Sequence, residues 1–188
     1  MSTQPAAFAA VPGAAAVAWR DWTVVLLKPD CLRRNLAAQV LFWISGLVDL
    51  VDVRQVQPTE QQIFAHYDDM LPLSDELGRD VPAELRRIFV GNTVIVALGH
   101  GPGAAGRVRA LVGPTDPAIA PADTIRGRFA DDTLAQAMAD GRLVDNVIHT
   151  SDHAAAAHRD FAIWYGPTFA HLLDPTPASV PAPGGGTP

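Results

Sequence analysis

A histidine at the end of a mostly apolar run is the residue of this sequence best placed to act as a nucleophile. His149 follows the predicted strand 143–148 and precedes Thr150, Ser151 and Asp152. Neutral imidazole is nucleophilic near neutral pH without special activation. Ser151 and the Asp160 carboxylate, on the helix predicted to follow, are candidates to orient it. An isolated histidine is more often a core or capping residue, so its neighbours decide the interpretation.

Three cations adjoin turns or strand ends and would suit a phosphorylated ligand. Lys28 directly follows the first predicted strand, Arg109 precedes the turn 113–117 (GPTDP), and Arg126 lies in the stretch 124–127 (TIRG). Each alone is compatible with a solvated charge at the surface. A guanidinium group and a nearby hydroxyl such as that of Thr115 can together bind phosphate oxygens, the arginine through two parallel hydrogen bonds.

Several other kinds of site are excluded or disfavoured. The sequence contains neither a phosphate-binding P-loop nor a GxGxxG stretch. A single cysteine, Cys31, excludes an internal disulfide and a zinc cluster of several cysteines, and we expect it to be a small buried residue. His153 and His158 are poorly spaced for a metal, and the remaining histidines (His66, His100 and His171) are scattered. We therefore predict no protein-built metal site.

Charge and composition restrict the partners and the compartment. The net charge of −6 disfavours nonspecific nucleic-acid binding as the main function, and we expect no specific nucleic-acid partner. No apolar run is long enough to span a membrane. The Ala-rich start lacks the basic residues of a signal peptide, which favours a cytoplasmic protein. We predict a disordered Ala/Pro-rich extension at 1–20, a folded domain at 21–173 and a disordered Pro/Gly-rich tail at 174–188.

Hydrophobic patterning within the folded part predicts a mixed α+β domain. Strands are predicted at 22–27, 51–56, 93–98 and 143–148, and helices at 36–50, 59–67, 82–89, 104–112, 132–140 and 152–164. Thr59 and Gln62 resemble a capping pair, and Asp152 can cap the last helix. Without the small helices the order is that of a ferredoxin-like split βαβ sandwich. This arrangement has an antiparallel four-stranded sheet, helices on one face and added helices.

Together these stretches resemble nucleoside diphosphate kinase, in the same order, from Trp22 to Tyr165. The most specific match is 146–152 (NVIHTSD), followed by 28–30 (KPD), 66–67 (HY), the GPTDP turn and TIRG. The resemblance implies a phosphotransferase that passes the γ-phosphate of ATP through phospho-His149 to a nucleoside diphosphate by a ping-pong mechanism. It also implies Mg²⁺ held mainly by the nucleotide phosphates, and a homo-oligomer.

The resemblance also implies a role for each matching residue. His149 is the phosphorylated nucleophile, and Lys28 lies close to the sugar and the transferring phosphate. The phosphates are clamped by Arg109, Thr115 and Arg126. Asn146 contacts the sugar, and Tyr67 lines the pocket. Ser151 and Asp160 support the imidazole.

Departures from the family pattern leave two alternatives open. Extra residues precede the helix at 82, extra residues occupy the region 131–142, and Arg34-Asn35 stands where the family usually has Arg-Gly. Where the family has an aromatic against the base, this chain has Val81 or a neighbour, and Asp160 replaces the usual glutamate. The chain could therefore be a specialised kinase for an unusual nucleotide, or a non-catalytic nucleotide-binding or scaffold protein. The retained polar residues argue against the scaffold.

Overall fold

A single antiparallel sheet organises the chain. A computed structural model describes residues 8–174. Its strands are β1 (Trp22–Leu27), β2 (Asp49–Val56), β3 (Val94–His100) and β4 (Ile148–Thr150). Their order is β2-β3-β1-β4, and every neighbouring pair is antiparallel. The predicted α+β class and four-stranded antiparallel sheet are confirmed.

Helices occupy most of the remaining described chain. The α-helices are α1 (Pro29–Arg33), α2 (Ala37–Ser45), α3 (Glu60–His66), α4 (Ser74–Leu77), α5 (Val81–Phe89), α6 (Ala104–Val112), α7 (Ile125–Phe129), α8 (Leu134–Ala139) and α9 (Ala154–Trp164). Short 3₁₀ segments lie at Ala14–Ala16, Trp19–Asp21, Leu71–Leu73, Pro117–Ile119 and Pro167–Leu173.

The helices cover both faces of the sheet, so the prediction of helices on one face is wrong. Val24 and Leu26 of β1 belong to one apolar cluster, whereas Val25 and Leu27 belong to another. The first cluster takes side chains from α3, α5 and α9, and the second takes them from α2, α6 and α7. A strand buried on both faces reads as a continuous apolar run, as β1 does. Each large apolar side chain buried there contributes about 1.5–3 kcal/mol.

The helix predicted at 36–50 ends earlier, and a strand takes over its last residues. α2 ends at Ser45, and the backbone N–H of Val48 still bonds to the carbonyl of Ile44. β2 then begins at Asp49, where Leu50 pairs with Gly99 of β3. The apolar residues after position 45 therefore serve the sheet rather than a helix, an override of local propensity by tertiary pairing.

The strand predicted at 143–148 is also mostly absent, because β4 begins only at Ile148. The backbone N–H groups of Leu143, Asp145 and Val147 do not enter a ladder. They donate to carboxylates instead, which belong to Glu84, Asp132 and Asp30. A backbone amide that bonds to a side chain has no donor left for a neighbouring strand.

Helix starts were predicted with mixed success. Thr59 and Gln62 form the expected capping box before α3. The cap of α9 is His153, whose Nδ1 accepts from the Ala156 amide at 3.1 Å, so the prediction of Asp152 as cap is wrong. An imidazole nitrogen with a lone pair can accept this amide hydrogen as a carboxylate would.

The N-terminal segment packs against the domain from Phe8 onwards, so the packed part begins before the predicted boundary at residue 21. Val11 is buried, and the Trp19 ring lies 4.9 Å from the His158 ring, centroid to centroid. Burial of these apolar groups offsets the cost of ordering an Ala-rich chain. Residues 1–7 and 175–188, with almost all of the predicted tail, lie outside the described residues. Within 8–174, no helix has both the length and the apolar character needed to cross a membrane.

Candidate active site

A cavity of about 440 Å³ lies at the end of β1 and the start of β4 and is polar at one end and apolar at the other. This volume is in the range of small-molecule sites. Six of the predicted site residues line it, namely Lys28, Tyr67, Thr115, Arg126, Asn146 and His149. Arg109, Ser151 and Asp160 stand behind this lining, and each is tied to a group described below.

A strained residue fixes the position of the histidine. Val147, directly before β4, has φ of +60°, a conformation that β-branched residues rarely adopt. Its N–H donates to Asp30 Oδ2 at 2.9 Å, and its carbonyl accepts from the Lys28 amide at 2.9 Å. These two bonds hold the unfavourable backbone in place. β4 then pairs with β1 so that His149 lies opposite Leu26.

The surroundings of His149 keep its imidazole neutral. The side chain is half-buried, and its ring centroid lies 4.4 Å from that of His66 and 5.4 Å from that of Tyr67. Burial lowers the pKa of His149 well below its usual value, and His66 lowers it further against the opposing effect of Asp160. The neutral form, which is the nucleophile, therefore predominates at pH 7.

His66 is part of this site, so its treatment as one of several scattered histidines is wrong. It is almost fully buried, and the Trp164 indole N–H donates to its Nδ1 at 3.1 Å. Nε2 is buried and has no hydrogen-bond partner in the described part of the chain. The only sequence signal was its membership of the matched pair His66-Tyr67.

Ser151 and Asp160 act on the surroundings of His149 rather than on its ring. Ser151 Oγ donates to Asp160 Oδ2 at 2.8 Å, and Arg159 Nε donates to the other carboxylate oxygen at 3.2 Å. Burial would raise the pKa of Asp160, but His66, Arg159 and Ser151 outweigh it and lower the pKa to about 2. Within residues 8–174, no hydrogen bond joins either side chain to the His149 imidazole. Asp160 Oδ1 lies 3.4 Å from His66 Nδ1, and His66 in turn contacts His149.

Lys28 and Asn146 form a hydrogen-bonded pair in the polar wall. Lys28 Nζ donates to Asn146 Oδ1 at 3.0 Å and to the Val144 carbonyl at 2.9 Å. Asn146 Nδ2 donates to the Thr115 carbonyl at 2.9 Å, which links the wall to the GPTDP turn. Burial lowers the pKa of Lys28, although Asp30 and Asp145 oppose this effect. An ammonium group has three donors, so one remains to meet an anion in the cavity.

Arg126 and Arg109 place two like charges side by side. Arg126 is buried and donates to the carbonyls of Gly113 at 3.1 Å and Ile148 at 2.9 Å, while Arg109 donates to the same Gly113 carbonyl. Burial and the neighbouring Arg109 lower the pKa of Arg126 to about 10, so Arg126 is still charged at pH 7. Like charges in a poorly solvated site repel, and an anion would relieve that repulsion. Arg109 does not line the cavity and acts from behind Arg126.

The TIRG stretch forms the cap and the first turn of the helix α7. Thr124 Oγ1 accepts from the Gly127 amide and caps α7. A Cβ on Gly127 would lie only 2.1 Å from the Pro121 carbonyl oxygen, so any side chain is excluded there. Gly113, with φ of +84°, is crowded by Thr124 in the same way. The two glycines therefore let the turn and α7 approach closely enough to bury Arg126.

The apolar end of the cavity does not include the position expected to replace the family's aromatic, if that position is Val81 itself. Val81 is fully buried in the core and does not line the cavity, whereas Leu85, one turn further along α5, does. The apolar lining comes mainly from the segments around α4 and α8, namely Met70, Leu73, Leu77, Leu134, Met138, Leu143 and Val144. Phe89 of α5 also lines it, which is an aromatic contact that sequence reasoning missed. In α8, which falls within the predicted helix 132–140, Ala137 is buried, while Leu134 and Met138 line the cavity.

Known proteins of one family are similar to this chain in sequence and in fold. The family model described as nucleoside diphosphate kinase matches residues 21–169. A nucleoside diphosphate kinase from Pyrobaculum aerophilum is 30% identical over 172 residues, which cover 76% of this chain and 93% of the relative. A relative of the same name from Streptococcus pneumoniae is 30% identical over 148 residues, covering 77% of this chain and 99% of its own.

Solved structures agree with the sequence comparison. A nucleoside-diphosphate kinase from Borrelia burgdorferi, solved as a transition-state mimic with bound vanadate and ADP, superposes with a TM-score of 0.69 at 28% identity. The superposition covers 77% of this chain and 86% of that one. An NDP kinase from Pyrobaculum aerophilum gives a TM-score of 0.64 at 28% identity, covering 77% and 95% of the two chains. The chain therefore belongs to the nucleoside diphosphate kinase family and is a phosphotransferase of that class.

Proposed function

We propose that this protein transfers the γ-phosphate of a nucleoside triphosphate such as ATP to His149, and from there to a nucleoside diphosphate. One observation carries the proposal: a neutral, half-buried imidazole shares a cavity with the buried cations Lys28 and Arg126. Phosphoryl transfer depends on positioning and on charge neutralisation more than on covalent chemistry by the protein. The cavity supplies a nucleophile at one point and fixed positive charge beside it.

The transfer proceeds in two displacements at phosphorus. In the first, the lone pair of an imidazole nitrogen of His149 attacks the γ-phosphorus, and the bond to the bridging oxygen breaks with its electrons on the departing diphosphate. In the second, a terminal oxygen of the acceptor diphosphate attacks the same phosphorus and the bond to nitrogen breaks. His149 returns to its neutral form, so the protein is unchanged after each cycle.

Positive groups stabilise the charge that shifts between oxygens. Arg126, with Arg109 behind it and Thr115 beside it, clamps the non-transferred phosphates, and Lys28 meets the transferring group near the sugar. These donors are fixed by hydrogen bonds to carbonyl oxygens before substrate binds, so little reorganisation is needed. Asn146 contacts the sugar and Tyr67 closes the pocket beside His149. His66 packs against the His149 ring, and Asp160, held by Ser151, lies next to His66.

Magnesium fits this site as a companion of the nucleotide. Mg²⁺ prefers oxygen ligands and commonly takes them from phosphates and water. Among the described residues lining the cavity, Asp69 is the only carboxylate. Asp69 and the phosphates would together hold the ion, and when bound it neutralises part of the phosphate charge. The cluster of His66, His149 and Asp160 has ligand atoms within 4.8 Å of one another, but its two imidazoles do not suit magnesium.

The proposed assembly is a homodimer at least, in the cytoplasm, without a nucleic-acid or membrane partner. The outer strand β2 exposes Val51 and Val53 and has one unpaired edge within the described sheet, which offers a surface for a second copy. Light scattering on the purified protein checks this assembly. A dimer or a larger species that persists on dilution agrees with it, and a stable active monomer contradicts it.

Incubation with ATP labelled at the γ-position, followed by separate chases with several nucleoside diphosphates, tests the proposed function. We expect the protein to take up label in the absence of any acceptor and to release it as labelled triphosphate when an acceptor is added. His149→Ala should do neither, whereas the matched control His171→Ala, a variant at an exposed histidine, should do both. Transfer that requires donor and acceptor to be present together would contradict the two-step mechanism.

A further inference from the structure

Three side chains of the types that bind metal ions meet at the proposed nucleophile. His66, His149 and Asp160 each place one ligand atom, an imidazole nitrogen or a carboxylate oxygen, within 4.8 Å of the other two. They lie on α3, β4 and α9, so the fold brings them together and no local spacing of histidines indicates the group. The proposed phosphoryl transfer uses a lone pair of His149 and assigns no ligand to His66.

His66 has an unused capacity to bind a ligand. Its side chain is 1% exposed, and its Nε2 is buried without a hydrogen-bond partner among residues 8–174. A buried polar atom without a partner is rare in folded proteins and calls for an explanation, of which a bound ion is one. The His66 ring meets the His149 ring edge to face, with the centroids 4.4 Å apart. An ion held by both rings through His66 Nε2 gives this nitrogen a partner.

The ligand types select the kind of ion. Imidazole nitrogens suit Zn²⁺ and its neighbours Cu²⁺ and Ni²⁺, whereas Mg²⁺ prefers an octahedral shell of oxygens. Zinc–nitrogen bonds of about 2.0–2.1 Å place two tetrahedral ligands about 3.4 Å apart. The most distant atoms of the cluster therefore have to approach one another by at most about 1.4 Å. His149 is half-buried and lines the cavity, so an ion reaches its ring from solvent and the ring has space to turn.

Nearby charges both favour and oppose a cation at this point. Coordination through His66 Nε2 places the ring proton on Nδ1, where Asp160 Oδ1 at 3.4 Å can accept it in place of the bond from Trp164. A carboxylate in this position orients a metal-bound histidine and makes it a better ligand. Lys28 and Arg126 line the same cavity and repel a cation. The negative charge of Asp160 therefore decides whether the ion binds.

We propose that His66 and His149, supported by Asp160, bind a divalent ion of the zinc class and that this ion reversibly inhibits the protein. The binding stands by itself, whereas the inhibition rests on the proposed function. A nitrogen lone pair shared with a metal ion cannot attack phosphorus, so metal binding and phosphorylation of His149 exclude each other. Removal of the ion returns the lone pair, and no covalent bond is formed or broken.

Equilibrium dialysis of the full chain against Zn²⁺, in a buffer that does not chelate metals, measures the binding. We expect the parent protein to bind a single ion, and His66→Gln and Asp160→Asn to bind it roughly tenfold or more weakly. His171→Gln, at an exposed histidine, is the matched control and should bind as the parent does. Co²⁺ in place of Zn²⁺ should give the visible absorption of a tetrahedral site with the parent protein and not with His66→Gln.

Two binding results would overturn the metal site. Equal affinity in the parent protein and in both variants would place the ion elsewhere. Loss of binding in His153→Gln alone would place it at the exposed pair of His153 and Asp152, whose side chains lie 3.4 Å apart.

The parent protein also provides a test that needs no substitution. Protein labelled by ATP and freed of nucleotide should no longer bind Zn²⁺ at this site. Zn²⁺ should in turn slow labelling in the presence of excess Mg²⁺, and a zinc chelator should restore it. Labelling at an unchanged rate in zinc-saturated protein would overturn the inhibition. Absence of label from the zinc-free parent would refute the proposed function instead, and the dialysis would still decide the metal site.

Discussion

The two ends of the cavity are built on opposite principles. At the phosphate end, Lys28, Arg126 and Asn146 are buried and hydrogen-bonded to one another or to backbone carbonyls. At the apolar end, Leu134 and Met138 are partly open to solvent. The phosphate end is lined by residues of the KPD, GPTDP, TIRG and NVIHTSD stretches, whereas most of the apolar lining comes from the segments around α4 and α8. The reaction needs one fixed arrangement of charge, whereas a base can be held by many apolar surfaces.

Energetics explain why the two ends differ in their tolerance of change. Removing one partner of a buried, hydrogen-bonded charge leaves the other unsatisfied, which costs about 3–5 kcal/mol. Exchanging one apolar side chain for another of similar volume usually costs less than about 1.5 kcal/mol. We therefore expect substitutions at the phosphate end to change the rate of phosphoryl transfer strongly. Substitutions at the apolar end should change the affinity for nucleotides modestly.

The largest effect is expected at the phosphate clamp. Arg126→Ala removes a charge-assisted hydrogen bond to the phosphates, which should cost about 1.5–3 kcal/mol, or roughly ten- to a hundredfold in rate. Arg109→Ala should act in the same direction. Arg128→Ala, an exposed arginine on the same helix α7, is the matched control. Steady-state kinetics with ATP and a diphosphate measure the change, and rates equal to those of the control in both variants would remove these arginines from the site.

The next effect is expected at His66 and depends on pH. His66 helps to lower the pKa of His149, so His66→Gln should let that pKa rise. A higher pKa means that more His149 is protonated in mildly acidic solution, and the protonated ring is not a nucleophile. A rise of one unit would reduce labelling by about tenfold well below the pKa and leave it nearly unchanged well above it. Single-turnover labelling of the parent protein and of His66→Gln, measured from about pH 5 to about pH 8, should show this divergence. Parallel pH profiles of the two proteins would contradict it.

A smaller effect, on stability, is expected at Asp160. Its pKa in the folded protein is about 2, below the usual 3.8, so the ionised carboxylate stabilises the fold. This contribution, about 2 kcal/mol, is present above the unfolded pKa and is lost as pH falls from about 4 towards 2. Asp160→Asn should therefore unfold more easily in urea at neutral pH, with a difference that narrows in acid. A constant difference across this range would show that the ionised form contributes nothing.

The smallest effect is expected for the identity of the base. Apolar side chains that form no directed hydrogen bonds to a base discriminate weakly between bases. Purine and pyrimidine diphosphates should therefore be accepted with kcat/KM values within about a hundredfold of one another. Val81 does not line the cavity, so Val81→Ala should not alter the order of preference among acceptors. A panel of diphosphates measures both. Preference for one base by more than about a thousandfold would indicate a specialised kinase.

Local patterns allowed part of this structure to be predicted from the sequence. β1 and the α6 helix were found from their apolar runs, and the Thr59 capping box was found from two residues at fixed spacing. The residues of the polar wall were predicted because Lys28, Arg126 and their neighbours lie in short stretches that occur in the same order as in the family they resemble. Each of these signals is contained in a few consecutive residues.

Features that depend on distant contacts were not predictable in this way. The start of β4 is set by carboxylates from other segments that accept the amides of residues 143–147, and no local pattern encodes that. His66 entered the site because α3 and α9 pack together and bring Trp164 to its ring. The apolar lining of the cavity was not predictable for the same reason, since Leu77 and Met138 are far apart in sequence and come together only in the folded chain.

The position and the chemical lability of the label test the central claim most directly. After incubation with labelled ATP alone, the protein should carry phosphate on the peptide that contains His149. A phosphoramidate bond at a histidine is lost in acid and survives in base, so the label should disappear on acid treatment and remain in alkali. Label that is stable in acid, or that persists in His149→Ala, would contradict transfer through this histidine.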